Sequence, residues 1–178
     1  PGQVVGQVRL VFDSNYNKMQ FITTIDGHTR SHPLERFNFN GKNILCSDSP
    51  LDRRQATNYT DMWWEEATSG WGIHVMHVDN QLYGYWHTYE SPNRAVYLTL
   101  ALERQADGRY VGKIFRQNDG SRPFNATTDA SSHVGATEVG TASLTFINGE
   151  RAEFDFVVGS RAGSHIITRF QVGDTATT

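Results

Sequence analysis

Apolar and polar residues alternate over short runs along most of this chain. The pattern is clearest where Trp71–Val78 and Gln81–Tyr89 flank the dipeptide Asp79-Asn80. Two such runs around a two-residue Asp/Asn loop predict a β-hairpin, because these side chains tolerate the positive φ that a tight hairpin turn needs. Alternation predicts further strands over Val4–Phe12, Met19–Ile25, His32–Phe39, Ala95–Glu103, Arg109–Arg116, Thr137–Phe146, Arg151–Val158 and His165–Val172. Clusters of turn-forming residues at Asp13–Lys18, Asp26-Gly27, Ser91–Arg94 and Gln105–Gly108 separate them. Pro33 makes the third run an edge strand or bends its start, since proline donates no ladder hydrogen bond. Gly112 predicts a bulge or a close backbone approach. No window of about a dozen residues shows the i, i+3, i+4, i+7 apolar spacing of a helix. The chain therefore reads as antiparallel all-β: an up-and-down barrel of about eight strands from Tyr59 to Val172, with an N-terminal three-stranded extension.

Four segments follow. Residues 1–40 hold the extension, 41–58 a polar linker, 59–172 the barrel, and 173–178 a disordered tail. In the linker, Arg53-Arg54 reads as solvated charge, or else as a proteolytic site. Gln117–Val134 reads as a long polar loop, a type more often functional or disordered than a neutral spacer.

The chain also repeats itself. Val5–Phe12 (VGQVRLVF) matches Val139–Phe146 (VGTASLTF), Phe21 matches Phe154, Ser31-His32 matches Ser164-His165, and Arg36-Phe37 matches Arg169-Phe170, with a single one-residue adjustment. The first three strands thus resemble the last three, and the first copy lacks its own preceding half. Either the chain belongs to a longer tandem array, or these strands complete another sheet or subunit.

If Asp79-Asn80 is the whole hairpin loop, side chains sort by the strand period of two. One face carries Trp71, Ile73, Val75, His77, Leu82, Trp86 and Thr88, and is the expected packing face. The other carries His74, Met76, Val78, Tyr83, Tyr85, His87 and Tyr89, rings with polar tips suited to sugars or flat ligands. Extending the register across Ser91–Arg94 gives an opposite reading. It sets Val96, Leu98, Leu100 and Leu102 beside the Tyr/His face and would turn the tryptophans outward.

Composition narrows function more than it assigns it. At 178 residues the chain suits one domain, or one domain plus an extension. A net charge of −3 argues against nucleic-acid binding by bulk electrostatics. No apolar run approaches the roughly 20 residues of a spanning helix. Cys46 is the single cysteine, so no internal disulfide forms, and it reads as a free thiol. A start at Pro1 reads as a processed, excised or truncated product.

Candidate chemistry is sparse. His74 and His87 are expected as diagonal neighbours on one face near Met76, a donor set suited to copper. The plainer reading is hydrogen-bonded structural histidines, and no cofactor is expected. Glu65, Glu66, Asp61 and Glu90 lie near the tryptophans, but glycosidase chemistry needs two carboxylates about 5 or about 6.5–9.5 Å apart. Solvated loop acids are the expectation. No nucleophile elbow or phosphate loop is present. Asn58-Tyr59-Thr60 and Asn125-Ala126-Thr127 are glycosylation sequons, relevant only in a eukaryotic secretory setting. His32 and His165, each ahead of an Arg-Phe pair, read as repeated packing positions.

Trp63-Trp64…Ser69-Gly70-Trp71-Gly72, followed by Tyr85-Trp86-His87-Thr88-Tyr89, Val139–Phe146 and Ile167-Thr168-Arg169, resembles a Trp-rich repeat module of secreted bacterial proteins. Such modules are similar to tails and tandem units attached to extracellular hydrolases. Thr68 stands where an acidic residue often precedes Ser-Gly-Trp-Gly. The strand order is also similar to that of calycin barrels such as avidin. The resemblance implies an all-β accessory module and supplies no catalytic residue; with the aromatic face and the polar, aromatic-rich composition, the expectation is a non-catalytic extracellular or periplasmic binding module. A small-molecule or carbohydrate ligand would be held by Trp63, Trp64, Trp71, His74, Tyr83, Tyr85, Trp86 and His87. The alternatives are a structural module that completes a neighbouring copy's sheet as a homo-oligomer or adjoining repeat, and a copper protein using His74 and His87. Neither nucleic acid nor a membrane span is expected.

Overall fold

The computed structural model describes residues 3–15, 17–36, 53–91, 94–119 and 135–171. Cys46, the 125–127 sequon, Pro92, Asn93, Phe37 and the 173–178 tail lie outside the described residues. Strands β1 (Gly6–Phe12), β2 (Lys18–Ile25) and β3 (His28–Glu35) form one antiparallel sheet in the order β1-β2-β3. Strands β4 (Asp61–Trp64), β5 (Gly72–Val78), β6 (Gln81–Ser91), β7 (Arg94–Arg104), β8 (Tyr110–Asp119), β9 (Gly135–Asn148), β10 (Arg151–Val158) and β11 (Arg161–Arg169) close into an eight-stranded barrel. Every neighbour pair is antiparallel, consecutive strands lie side by side, and β11 closes the ring on β4 through Thr168↔Trp64 and Arg169↔Trp63. The fold is therefore an up-and-down barrel with a separate three-stranded sheet, as the alternation predicts. The two sheets fall in two compact units. Among the described residues, helix is limited to the 3-10 turns Arg53–Gln55 and Glu66–Thr68, and no helix is long and apolar enough to cross a membrane.

Two strands begin earlier than the sequence pattern suggests. The third spans His28–Glu35 rather than 32–39, and the last spans Arg161–Arg169 rather than 165–172. Both follow two-residue loops. Asp26 and Gly27 take φ 49° and 77° and join the pair Ile25↔His28; Gly159 takes φ 58° and the loop joins Val158↔Arg161. A turn this tight carries the partner strand straight into the ladder, so polar residues such as His28-Thr29-Arg30 become strand despite weak alternation. Likewise β8 runs on to Asp119, inside the stretch expected to be loop, because Gln117 and Asp119 pair with Ala136 and Gly135. Pro33 sits on the edge strand β3, opposite Gln20. Gly112 is a close approach: a Cβ there would lie 2.0 Å from the Ala101 carbonyl oxygen.

The hairpin forms as expected. Val78 pairs with Gln81, His74 with Tyr85 and Gly72 with His87, with Asp79 at φ 54°. The two competing face assignments are separated by a bulge. Tyr89 pairs with Ala95, but Ser91 pairs with Arg94, leaving Glu90 as an extra residue. That shift reverses the parity of β7. Leu98 faces Trp86, Leu100 faces Gly84 and Leu102 faces Leu82. The leucines join the Trp/Ile face, and the reading that turned the tryptophans outward is corrected.

Inside the barrel, Trp63, Ile73, Leu82, Leu100, Ile114, Leu144, Phe154 and Ile167 are buried in one cluster. Eight strands enclose a space just wide enough for side chains to fill. At mid-height it is full: a Cβ on Gly84 would sit 3.0 Å from Leu100 Cδ1 and 3.3 Å from Ile73 Cγ2.

Candidate functional site

The two ends of the barrel differ. At the β5–β6 hairpin end, Tyr59 stacks on Phe146 (centroids 3.5 Å apart) and on His77 (5.2 Å), with the Tyr110 ring edge-on at 6.1 Å. The Tyr59 amide donates to His77 Nδ1 (3.3 Å), so the ring proton belongs on Nε2, which donates to the Asp79 carbonyl (2.8 Å). Tyr110 Oη lies 3.0 Å from the same nitrogen. Burial pushes the His77 pKa down, and Arg104 acts in the same direction. Burial likewise pushes Tyr110 up, with Tyr59 adding to it. This end is plugged.

The other end is open. A cavity of about 860 Å³ is walled by Trp86, Val96, Leu98, Phe156 and Val158, the inward residues at the ends of β6, β7 and β10. Thr88, Arg116 and Arg161 reach its rim. Glu90, the bulged residue, gathers the cations there. Its carboxylate pairs with Arg116 and with Arg94 (3.3 Å), and its carbonyl accepts from Arg161 Nη1 (3.0 Å). Two guanidinium groups thus meet one carboxylate and a third its backbone carbonyl, and the rim keeps a positive excess among the described residues.

The eight residues expected to hold a ligand do not form one site. Trp63 is buried in the core, with its indole N–H donated to the Tyr59 carbonyl (3.0 Å). Trp86 is also a core residue, but its ring lines the cavity. Its Nε1 is buried with no hydrogen-bond partner among the described residues. Trp71 packs edge-on to Trp86 (6.4 Å) and His165 (5.0 Å). Trp64 faces a separate groove of about 440 Å³ with Glu66, Glu150 and Arg151. His74, Tyr85 and His87 are exposed on the outer wall, where His87 pairs with Tyr97, and Tyr83 is half-buried with its hydroxyl on Gln81 Oε1 (2.7 Å). The structure therefore brings His74, Tyr85 and His87 together, leaves Trp64 elsewhere, and takes Trp63 out of reach.

His74 and His87 are diagonal neighbours with ring centroids 5.2 Å apart. Met76 pairs with Tyr83, while the residue directly across from His74 on β4 is Met62. No group of three or more His, Cys, Asp and Glu able to hold a metal occurs among the described residues.

Three of the four acids expected to be solvated are paired. Asp61 meets Arg53 (3.2 Å) and Arg169 (2.8 Å), and Glu90 is described above. Glu65 accepts from the Thr68 hydroxyl, which holds its pKa below the usual carboxylate value, and it lies 3.0 Å from His165 Nδ1. Thr68 in turn accepts the Trp71 indole N–H (3.0 Å). Arg53 also meets Glu150 at 2.8 Å, so this arginine is half-buried in ion pairs rather than solvated.

Val96, Leu98, Arg116, Phe156, Val158 and Arg161 were not singled out from sequence as site residues. The alternation Phe154, Phe156, Val158 marks an inward row on β10, but which end of that row stays unfilled is set by the other strands. No family model, curated protein or solved structure matches this chain.

Proposed function

We propose that the barrel is a non-catalytic binding module whose ligand enters the open end. One observation carries this reading: the cavity of about 860 Å³ joins an apolar wall of Trp86, Val96, Leu98 and Phe156 to a rim with excess guanidinium. Barrel mouths are a preferred place for small-molecule sites, and pockets of about 300–1,000 Å³ hold ligands of drug size. The chemistry favours a flat or apolar body carrying an anionic or acceptor group. The likeness to Trp-rich modules of secreted bacterial proteins supports an accessory role and an extracellular or periplasmic setting as part of the same proposal.

An aromatic sulfonate such as 8-anilinonaphthalene-1-sulfonate is a fitting probe. Saturable one-to-one binding with quenching of Trp86 is expected. Val96→Trp, which fills the mouth, should abolish it, whereas Tyr85→Ala on the outer wall should not. Binding unaffected by Val96→Trp would overturn the proposal.

A further inference from the structure

The three-stranded sheet repeats the last three barrel strands in register as well as in sequence. Leu10, Phe21 and His32 pair across β1, β2 and β3. Their counterparts Leu144, Phe154 and His165 pair across β9, β10 and β11 in the same way. Gly6↔Ile25 repeats Gly140↔Val158. The two glycines are required for the same reason: a Cβ would lie 2.1 Å from the Thr24 carbonyl oxygen in one copy and 1.9 Å from that of Val157 in the other. The single sequence adjustment falls in the first connection, between Phe12↔Met19 and Phe146↔Ala152.

What differs is burial. Leu144, Phe154 and Ile167 are 1%, 0% and 0% exposed, because the sheet β4–β8 closes over them. On the matching face of the first copy the central strand is partly sheltered, with Thr23 buried and Phe21 half-buried, but Val8, Leu10, Phe12 and Leu34 are 61%, 47%, 51% and 39% exposed. A row of apolar side chains on one sheet face is a surface made to be covered. Two polar positions point to the same partner. His165 meets Glu65, just after β4, and stacks near Trp71. Its counterpart His32 has Nε2 buried without a hydrogen-bond partner among the described residues. Arg36 stands where Arg169, which lies over Trp63, stands in the complete barrel.

We infer that β1–β3 is the closing part of a second eight-stranded barrel. Its apolar face takes five strands of the β4–β8 type from another copy of the same module. The occupant is specified by complementarity already present in this chain: the interface between β9–β11 and β4–β8 is the template. In the completed barrel, Leu10, Phe21 and Leu34 pack against the incoming Trp63, Ile73 and Trp86 positions, His32 gains the incoming Glu65, and Arg36 covers the incoming Trp63.

The test keeps the whole chain and adds a second β4–β8 segment. Val5 aligns with Val139, so residues 59–134 fused directly before Pro1 join in register. Amides of β1–β3 are then expected to gain about 100-fold protection from hydrogen exchange, as strands entering a closed core do. The added tryptophans should emit at the same wavelength as those of the existing barrel. Leu10→Asp with Phe21→Asp in the fusion should remove both effects and leave β4–β11 protection unchanged. Unaltered β1–β3 exchange in the fusion overturns the inference. So does capture of a separate 59–134 polypeptide equally by the parent chain and by the double variant, since that means exchange into the existing barrel.

Discussion

The Arg169 guanidinium lies 5.0 Å from the ring centroid of Trp63, joining the last barrel strand to the first. It is a buried arginine whose three nitrogens all donate. Nε donates to the Gly149 carbonyl, Nη1 to Asp61 (2.8 Å) and the Thr60 carbonyl (3.4 Å), and Nη2 to the Asn58 carbonyl (2.6 Å). The β11–β4 seam is short, with two paired positions and the Phe170 amide donating to the Met62 carbonyl (2.7 Å), and this side chain adds to the closure. Arg169→Ala should destabilise the barrel by about 3 kcal/mol, because it takes the donor from several carbonyls and leaves Asp61 paired with Arg53 alone among the described residues. Arg169→Lys should recover little, since an ammonium cannot reproduce the planar fork. Urea denaturation measures both.

The plugged end predicts a pH window for stability. His77 has a folded pKa below the ordinary 6.5, so the unfolded chain takes up a proton first as pH falls. Its contribution is present above about pH 6.5 and is lost on acidification below it. Tyr110 has a folded pKa above the ordinary 10.0, so its contribution is present below pH 10 and is lost as pH rises further. His77→Gln should flatten the acidic limb of a Tm-against-pH curve and leave the alkaline limb in place. An unchanged acidic limb would refute the assignment.

The two repeat copies offer a matched pair of substitutions. Leu144→Ala removes a fully buried side chain and should cost about 2–5 kcal/mol. Leu10→Ala, at the same register position but half exposed, should cost less than about 1 kcal/mol. Equal losses in guanidinium titrations would show that the first copy is already covered.

Two tryptophans of the core should respond differently to Phe. Trp86→Phe removes a buried N–H without an acceptor among the described residues, a group that itself costs about 1–3 kcal/mol, and this offsets part of the lost packing. A net change within about 1 kcal/mol is expected. Trp63→Phe loses a satisfied bond to Tyr59 and the Arg169 contact, and should be the more damaging by chemical denaturation.

Much of the fold was legible in the residue pattern. The period of two along Trp71–Tyr89 identified the hairpin, its loop and the sorting of side chains, because a strand must alternate and Asp79 must reach positive φ. The repeat was legible too, since equivalent strands need equivalent glycines and apolar residues to pair in the same register. The sequence did not determine which hairpin face meets β7. One bulged residue, Glu90, sets that parity, and a bulge depends on how two whole strands fit rather than on local preference. Nor did it show that Trp63 belongs to the core while the open end gathers Trp86, Phe156, Arg116 and Arg161. Those residues are far apart along the chain. They converge only when β11 closes on β4, so ring closure decided the site.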